Sequence, residues 1–129
     1  MSAAETEEYG DPTTRHFWAG AREHRLLIQR CAKCGHHQFY PRPFCLECQS
    51  DEVEWVEASG FGTIYSMTTV RVQIAPEFRP PYRVAVVALD EGPRMVGGVI
   101  GAECGIGARV RATWRDREGL PPLIAFEPD

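Results

Sequence analysis

Hydrophobic and polar positions along the chain fall into three regimes. Residues 1–12 are acidic and polar and end at Pro12, so residues 1–14 are expected to form a mobile acidic arm. From Thr13 or Thr14, which suit an N-cap, Phe17, Trp18 and Ala21 share one face of a short helix starting at Arg15, with Gly20 weakening it. Arg25-Leu26-Leu27-Ile28-Gln29-Arg30 is an apolar run bounded by charges and predicts a strand leading into a cysteine-rich segment.

After residue 50 the period changes to two. Val53–Ala58 reads as a strand, Gly60-Phe61-Gly62 as a bend, and residues 63–74 as a long strand with Tyr65, Met67 and Thr69 opposite Ile64, Val70, Val72 and Ile74. Three prolines in Ala75–Pro81 lack the ladder N–H, which makes that segment a loop. Val84–Leu89 and Arg94–Ile100 around the turn at Asp90–Pro93 predict a hairpin with a glycine bulge at Gly97-Gly98. Ala108–Arg115 alternates, with Val110, Ala112 and Trp114 inward and the arginines outward, and Leu123–Phe126 is the last strand. Five strands after residue 52, the first long and broken by glycines, predict a small β-barrel. A five-stranded barrel of the oligonucleotide/oligosaccharide-binding (OB) type is the natural candidate, with an SH3-like barrel its main competitor. The expected division is an arm over 1–14, helix and cysteine segment over 15–50, and barrel over 51–129.

Composition narrows the classes. The 129 residues suffice for one compact domain or two very small ones, and 43% hydrophobic with 25% charged residues is ordinary for a globular protein. No run approaches the roughly 20 apolar residues of a membrane span, and no basic, then apolar, leader opens the chain, so the expected compartment is the cytoplasm. The net charge of −4 is divided as −4 over 1–14, +4 over 15–50 and −4 over 51–129. A general affinity for nucleic acid or anionic membrane is therefore disfavoured, while one basic patch remains in the middle block.

Cys31-Ala32-Lys33-Cys34 and Cys45-Leu46-Glu47-Cys48 carry the strongest chemical signal. Two residues between paired cysteines let a tight knuckle aim both sulfurs at one ion, and two knuckles complete a closed tetrahedral thiolate shell. Such a shell has no open position, so the ion, Zn²⁺ or less aptly iron, is structural, with an apparent binding energy on the order of 10–16 kcal/mol. Gly35 after the first knuckle can take positive φ; Gln49 after the second is a poorer substitute. A redox-dithiol reading lacks the βαβ context it requires, and His36 and His37 are spare beside four cysteines. Cys104 reads as a small apolar residue or an inert thiol.

Phe17-Trp18-Ala19-Gly20, Leu26–Cys31, Cys34-Gly35, Pro41-Arg42-Pro43 and Cys45-x-x-Cys48 resemble the first half of the zinc-ribbon/OB-fold acyl-CoA-associated proteins. Trp55, Gly60–Ser66, Pro81-Tyr82, Leu89–Arg94 and Ile106-Gly107 resemble the second half, and Gln49 departs from a usual glycine. The resemblance implies a mainly β chain: a short N-terminal helix, a rubredoxin-like zinc ribbon, then a five-stranded OB barrel. It also implies a non-catalytic subunit that accompanies a thiolase-superfamily enzyme. Such partners include thiolases, lipid-transfer-protein-type aldolases that shorten steroid side chains, and acyltransferases, in assemblies with two copies of each chain and an acyl-CoA shared with the partner.

No nucleophile–base pair or open metal site can be assembled from the remaining residues, in keeping with a supporting role. Candidate partner contacts are Phe17, Trp18, Phe78, Arg79, Pro81 and Tyr82, with packing of Phe17 and Trp18 on the ribbon as the alternative; Arg30 and Arg42 are candidates for CoA phosphates or for offsetting thiolate charge. The rival class is single-stranded nucleic-acid binding through Phe61, Tyr65, Arg109, Arg111 and Arg115, against which the −4 over 51–129 counts. A solitary thioesterase using Cys104 is a third reading.

Overall fold

The computed structural model describes residues 9–76 and 78–129. In chain order it contains α1 (Arg15–Arg22), β1 (Leu27–Cys31), β2 (His37–Gln38), β3 (Val53–Glu57), β4 (Phe61–Val70), β5 (Tyr82–Leu89), β6 (Arg94–Val99), β7 (Arg109–Arg117) and β8 (Leu120–Pro128). The first three strands form an antiparallel sheet of order β2-β1-β3, and the other five a closed barrel of order β4-β5-β6-β8-β7 in which only β6 and β8 run parallel. This is the mainly β, ribbon-plus-OB architecture expected.

Residues 1–8 of the expected arm lie outside the described residues. Residues 9–14 are tied to the helix and are not part of a free arm: the Tyr9 ring meets Trp18 edge-on, and the Asp11 carboxylate accepts the Thr13 and Thr14 N–H groups. Thr14 stands at the N-cap position, but its side chain bonds back to Asp11 and caps nothing in the helix. Helix α1 is held instead by its buried face, Phe17, Gly20 and Ala21.

Three strand expectations are corrected. Val53–Glu57 pairs along its whole length with Leu27–Cys31 and so completes the ribbon sheet rather than opening the barrel; Gly60, at φ 89°, then redirects the chain into β4. Strand β4 ends at Val70, because Val72 and Ile74 find no partner strand and are 66% and 72% exposed. The expected glycine bulge in β6 is absent: its register with β5 runs unbroken, and the bulge falls in β4 between Ile64 and Ser66. That bulge keeps Ile64 fully buried while letting Met67 pack against the same core.

Ile64, Val87, Met95, Val99, Val110 and Phe126 form the barrel core, and Phe17, Leu26 and Ile28 extend it under the ribbon. Gly97 is required there, since a Cβ would come within 2.8 Å of the Phe126 ring. The helix end is pinned to the barrel by His24, which stacks on Trp114 and approaches Asp116 at 2.8 Å.

Candidate metal centre and adjoining cavity

Each cysteine knuckle is closed by the same backbone bond. The Gly35 N–H donates to the Cys31 carbonyl and the Gln49 N–H to the Cys45 carbonyl, at 2.9 and 2.8 Å. Both closing residues are left-handed, Gly35 at φ 81° and Gln49 at φ 65°, so Gln49 adopts a conformation that glycine takes more readily. The turns aim backbone N–H groups at sulfur: Lys33 and Cys34 toward Cys31, Glu47 toward Cys45. Donation from the Cys34 N–H, then from Lys33, outweighs desolvation and holds the Cys31 thiol down at about 6. The Cys45 thiol is lowered by the Cys48 and Glu47 N–H groups in the same way.

Tetrahedral bonds of about 2.3 Å place the sulfurs of a zinc site about 3.8 Å apart. Here the Cys31–Cys48 and Cys34–Cys45 sulfurs stand at 3.6 Å, and all four lie within 4.8 Å of one another. The donor set and its spacing fit a zinc ion, and the four sulfurs complete its shell without His36 or His37. When bound, the ion supplies cross-linking and no reactive position.

A polar network behind the knuckles was not foreseen. Buried Gln29 and Gln38 face each other across β1 and β2, Gln38 Nε2 donating to Gln29 Oε1 at 2.9 Å. Gln29 also holds both backbone groups of Arg42, while Gln38 accepts the Leu46 N–H and donates to the Phe44 carbonyl. Two glutamines thus fix the loop that carries the second knuckle. The available signal was two amides in a strand–turn–strand beside the cysteines.

Where helix, ribbon and barrel meet, they enclose a cavity of about 420 Å³. Four of the six residues named as partner contacts line it: Phe17, Trp18, Phe78 and Tyr82. Phe17 is only 6% exposed and packs on Phe39, so little of its side chain reaches the surface. The Phe78 and Tyr82 rings meet at a tilt of 34° with centroids 5.5 Å apart, whereas Arg79 and Pro81 stand exposed outside the cavity. Arg30 is ion-paired with Glu54 at 3.0 Å, and Arg42 is exposed with no carboxylate partner among the described residues. Arg109 and Arg111, on which the nucleic-acid reading leaned, are paired with Asp90 and Glu127. Cys104 is half-buried against the core.

Comparison with known proteins agrees with this geometry. Residues 18–54 match the family described as ChsH2, rubredoxin-like zinc ribbon domain, and residues 55–115 match ChsH2, C-terminal OB-fold domain. A DUF35 domain-containing scaffold protein of Methanocaldococcus jannaschii is 34% identical over 106 residues, covering 76% of this chain and 74% of that one. The chain belongs to the ChsH2/DUF35 family. A solved member, in the Ltp2-ChsH2(DUF35) aldolase, superposes with a TM-score of 0.85 at 34% identity, covering 93% of this chain and 97% of that one. The 3-oxo-4,17-pregnadiene-20-carboxyl-CoA hydratase alpha subunit of Mycobacterium tuberculosis is 37% identical over 119 residues, 90% of this chain but 38% of that subunit. The chain therefore spans little more than a third of that relative's length. Relatives in the ChsH2/DUF35 family are thus named as scaffolds or as subunits of larger enzymes. Among the described residues, no helix is long and apolar enough to cross a membrane.

Proposed function

We propose that this chain is a non-catalytic accessory subunit of a thiolase-like, lipid-transfer-protein-type aldolase or thiolase acting on acyl-CoA, with a steroid side-chain thioester as the natural substrate. The observation that carries the reading is the match, over nearly the whole of both chains, to the subunit of the Ltp2-ChsH2(DUF35) aldolase. The closed sulfur shell supports it, because a metal so held offers no site for a substrate. In this reading the protein works in the cytoplasm, in an assembly of two copies of each chain.

Arg79 and Pro81, exposed in the proline loop, are the side chains we place against the partner. Arg42, free of a carboxylate among the described residues, is placed toward the CoA phosphates, with Arg30 committed to Glu54. Co-expression with a thiolase-like aldolase followed by size-exclusion chromatography tests the reading. Co-elution, and loss of partner solubility or turnover when this chain is omitted, is expected. A partner that is fully soluble and active alone overturns it, as does thioester conversion by this chain unaided.

A further inference from the structure

Each knuckle buries one of its two sulfurs and shows the other to solvent. Cys31 and Cys45 are buried, whereas Cys34 and Cys48 are exposed. The 3.6 Å contacts run between the knuckles and join an exposed cysteine to a buried one, Cys48 to Cys31 and Cys34 to Cys45. A thiolate open to solvent beside a second sulfur is the arrangement that oxidation to a disulfide needs. Metal binding keeps all four sulfurs deprotonated, an advantage that Cys104, half-buried and outside the shell, lacks.

The two knuckles are the same turn made twice, and they part at the last sulfur. Cys31 and Cys45 donate their N–H groups to the carbonyls of His36 and Ser50, at 2.9 and 2.8 Å. Each of these two sulfurs also accepts two N–H groups, Cys31 from Lys33 and Cys34, Cys45 from Glu47 and Cys48. Cys34 accepts one, from His36. Among the described residues, no N–H donates to the Cys48 sulfur. An N–H bond draws on the lone pairs that an electrophile must meet, so Cys48 is both reachable and the least shielded of the four.

We infer that Cys48 is an oxidation site for hydrogen peroxide, with Cys31 as its resolving partner, and that oxidation of this one pair opens the ribbon. The Cys48 sulfur attacks a peroxide oxygen, and the O–O bond breaks to leave a sulfenic acid and hydroxide. The Cys31 sulfur then attacks the Cys48 sulfur, the S–S bond forms, and a second hydroxide leaves. Two thiolates have given two electrons to one peroxide, and both hydroxides take protons from solvent to become water. A disulfide offers no thiolate to an ion, so half of the shell is withdrawn. The ribbon that loses its centre carries Phe39, which packs on Phe17 at 5.4 Å, and the loosening therefore reaches helix α1. None of this depends on an enzyme partner.

The test treats the zinc-loaded full chain with hydrogen peroxide, reads free zinc with a chromophoric chelator, and maps the cysteines by alkylation and mass spectrometry at early times. Expected is zinc release in step with a Cys31–Cys48 disulfide, Cys104 still reduced, and recovery of zinc binding on adding dithiothreitol and zinc. Cys48→His, which leaves four ligands of kinds that zinc accepts, keeps the metal and loses peroxide-driven release, while Cys34→His keeps both. The disulfide map of the parent chain decides the question even if neither variant holds zinc. Zinc retained through peroxide treatment, a first disulfide other than Cys31–Cys48, or release that survives in metal-loaded Cys48→His or is lost in metal-loaded Cys34→His overturns the inference.

Discussion

Between Ala32 and Ser50 the buried side chains are Gln38, Pro41 and Cys45, whereas the barrel strands bury Ile64, Val87, Met95, Val99, Val110 and Phe126 in one apolar cluster. One short chain thus uses two kinds of cohesion. The knuckle region is held by coordination and directed amide bonds, and the barrel by burial that has no direction. The first specifies where a few backbone groups sit to within a hydrogen bond's tolerance, and fails outright when its centre is removed. The second tolerates local damage in proportion to the area lost.

The largest test of that division is removal of the metal. A strong chelator, or Cys45→Ser, is expected to disorder residues 31–50 while the barrel amides keep their native chemical shifts in heteronuclear NMR spectra. An apparent binding energy of about 10–16 kcal/mol exceeds what three buried side chains can replace. Barrel signals that collapse in step with the ribbon would show one cooperative unit and dissolve the comparison.

The converse cut is Phe126→Ala. Phe126 is 0% exposed and packs against Gly97, so truncation is expected to cost about 3–5 kcal/mol in urea unfolding. Cobalt substituted for zinc should keep its tetrahedral thiolate absorption under conditions where the barrel has lost its near-ultraviolet dichroism. A cobalt spectrum that vanishes with the barrel breaks the division from the other side.

Gln38→Leu sharpens the comparison within the ribbon. The change preserves bulk but orphans the Phe44 carbonyl and the Leu46 N–H, and removes one partner of Gln29, at a cost of about 1–3 kcal/mol. The expected signature is faster zinc transfer to a chromophoric chelator, with the barrel's melting left in place. Gln49→Gly acts oppositely and more weakly. Freeing a left-handed non-glycine position should stabilise the ribbon by about 0.5–1 kcal/mol and slow the same transfer. No change in transfer rate would mean that the second knuckle is not where the ion is released.

The contrast also explains what was legible in the sequence. Cys31, Cys34, Cys45 and Cys48 could be read directly, because coordination chemistry writes its spacing into adjacent residues, and Gly35 with Gln49 followed from the same turn geometry. Alternation identified β5, β6 and β7. Misplaced features depended on distant partners. Val53–Glu57 has strand character wherever it pairs, and only the five-residue register with β1 assigns it to the ribbon. Val72 and Ile74 look like strand residues but meet no neighbouring strand. The adjacent glycines of β6 suggested one bulge, yet each has its own reason, a close ring at Gly97 and an open cavity at Gly98. That cavity joins residues from position 14 to position 124, and no local pattern announces such a meeting.

The smallest expected effect concerns the barrel surface, where charge is tied down without being buried. Arg109 donates to both Asp90 oxygens, at 2.7 and 2.9 Å, and these hydrogen bonds hold that carboxyl below its ordinary range against an opposing desolvation. A carboxyl depressed in the folded state contributes stability that is fully present above its unfolded value of about 3.9 and is lost as pH falls through the lower folded value. Asp90→Asn should therefore lower the melting temperature slightly at neutral pH, flatten the acid limb of the melting profile, and converge with the parent chain at the acid end. Because both side chains are about half exposed, 49% and 45%, the difference should shrink in molar salt. Asp90→Asn costing more than Gln38→Leu would mean that the barrel too relies on directed polar contacts, and the contrast between the two regions would be one of degree.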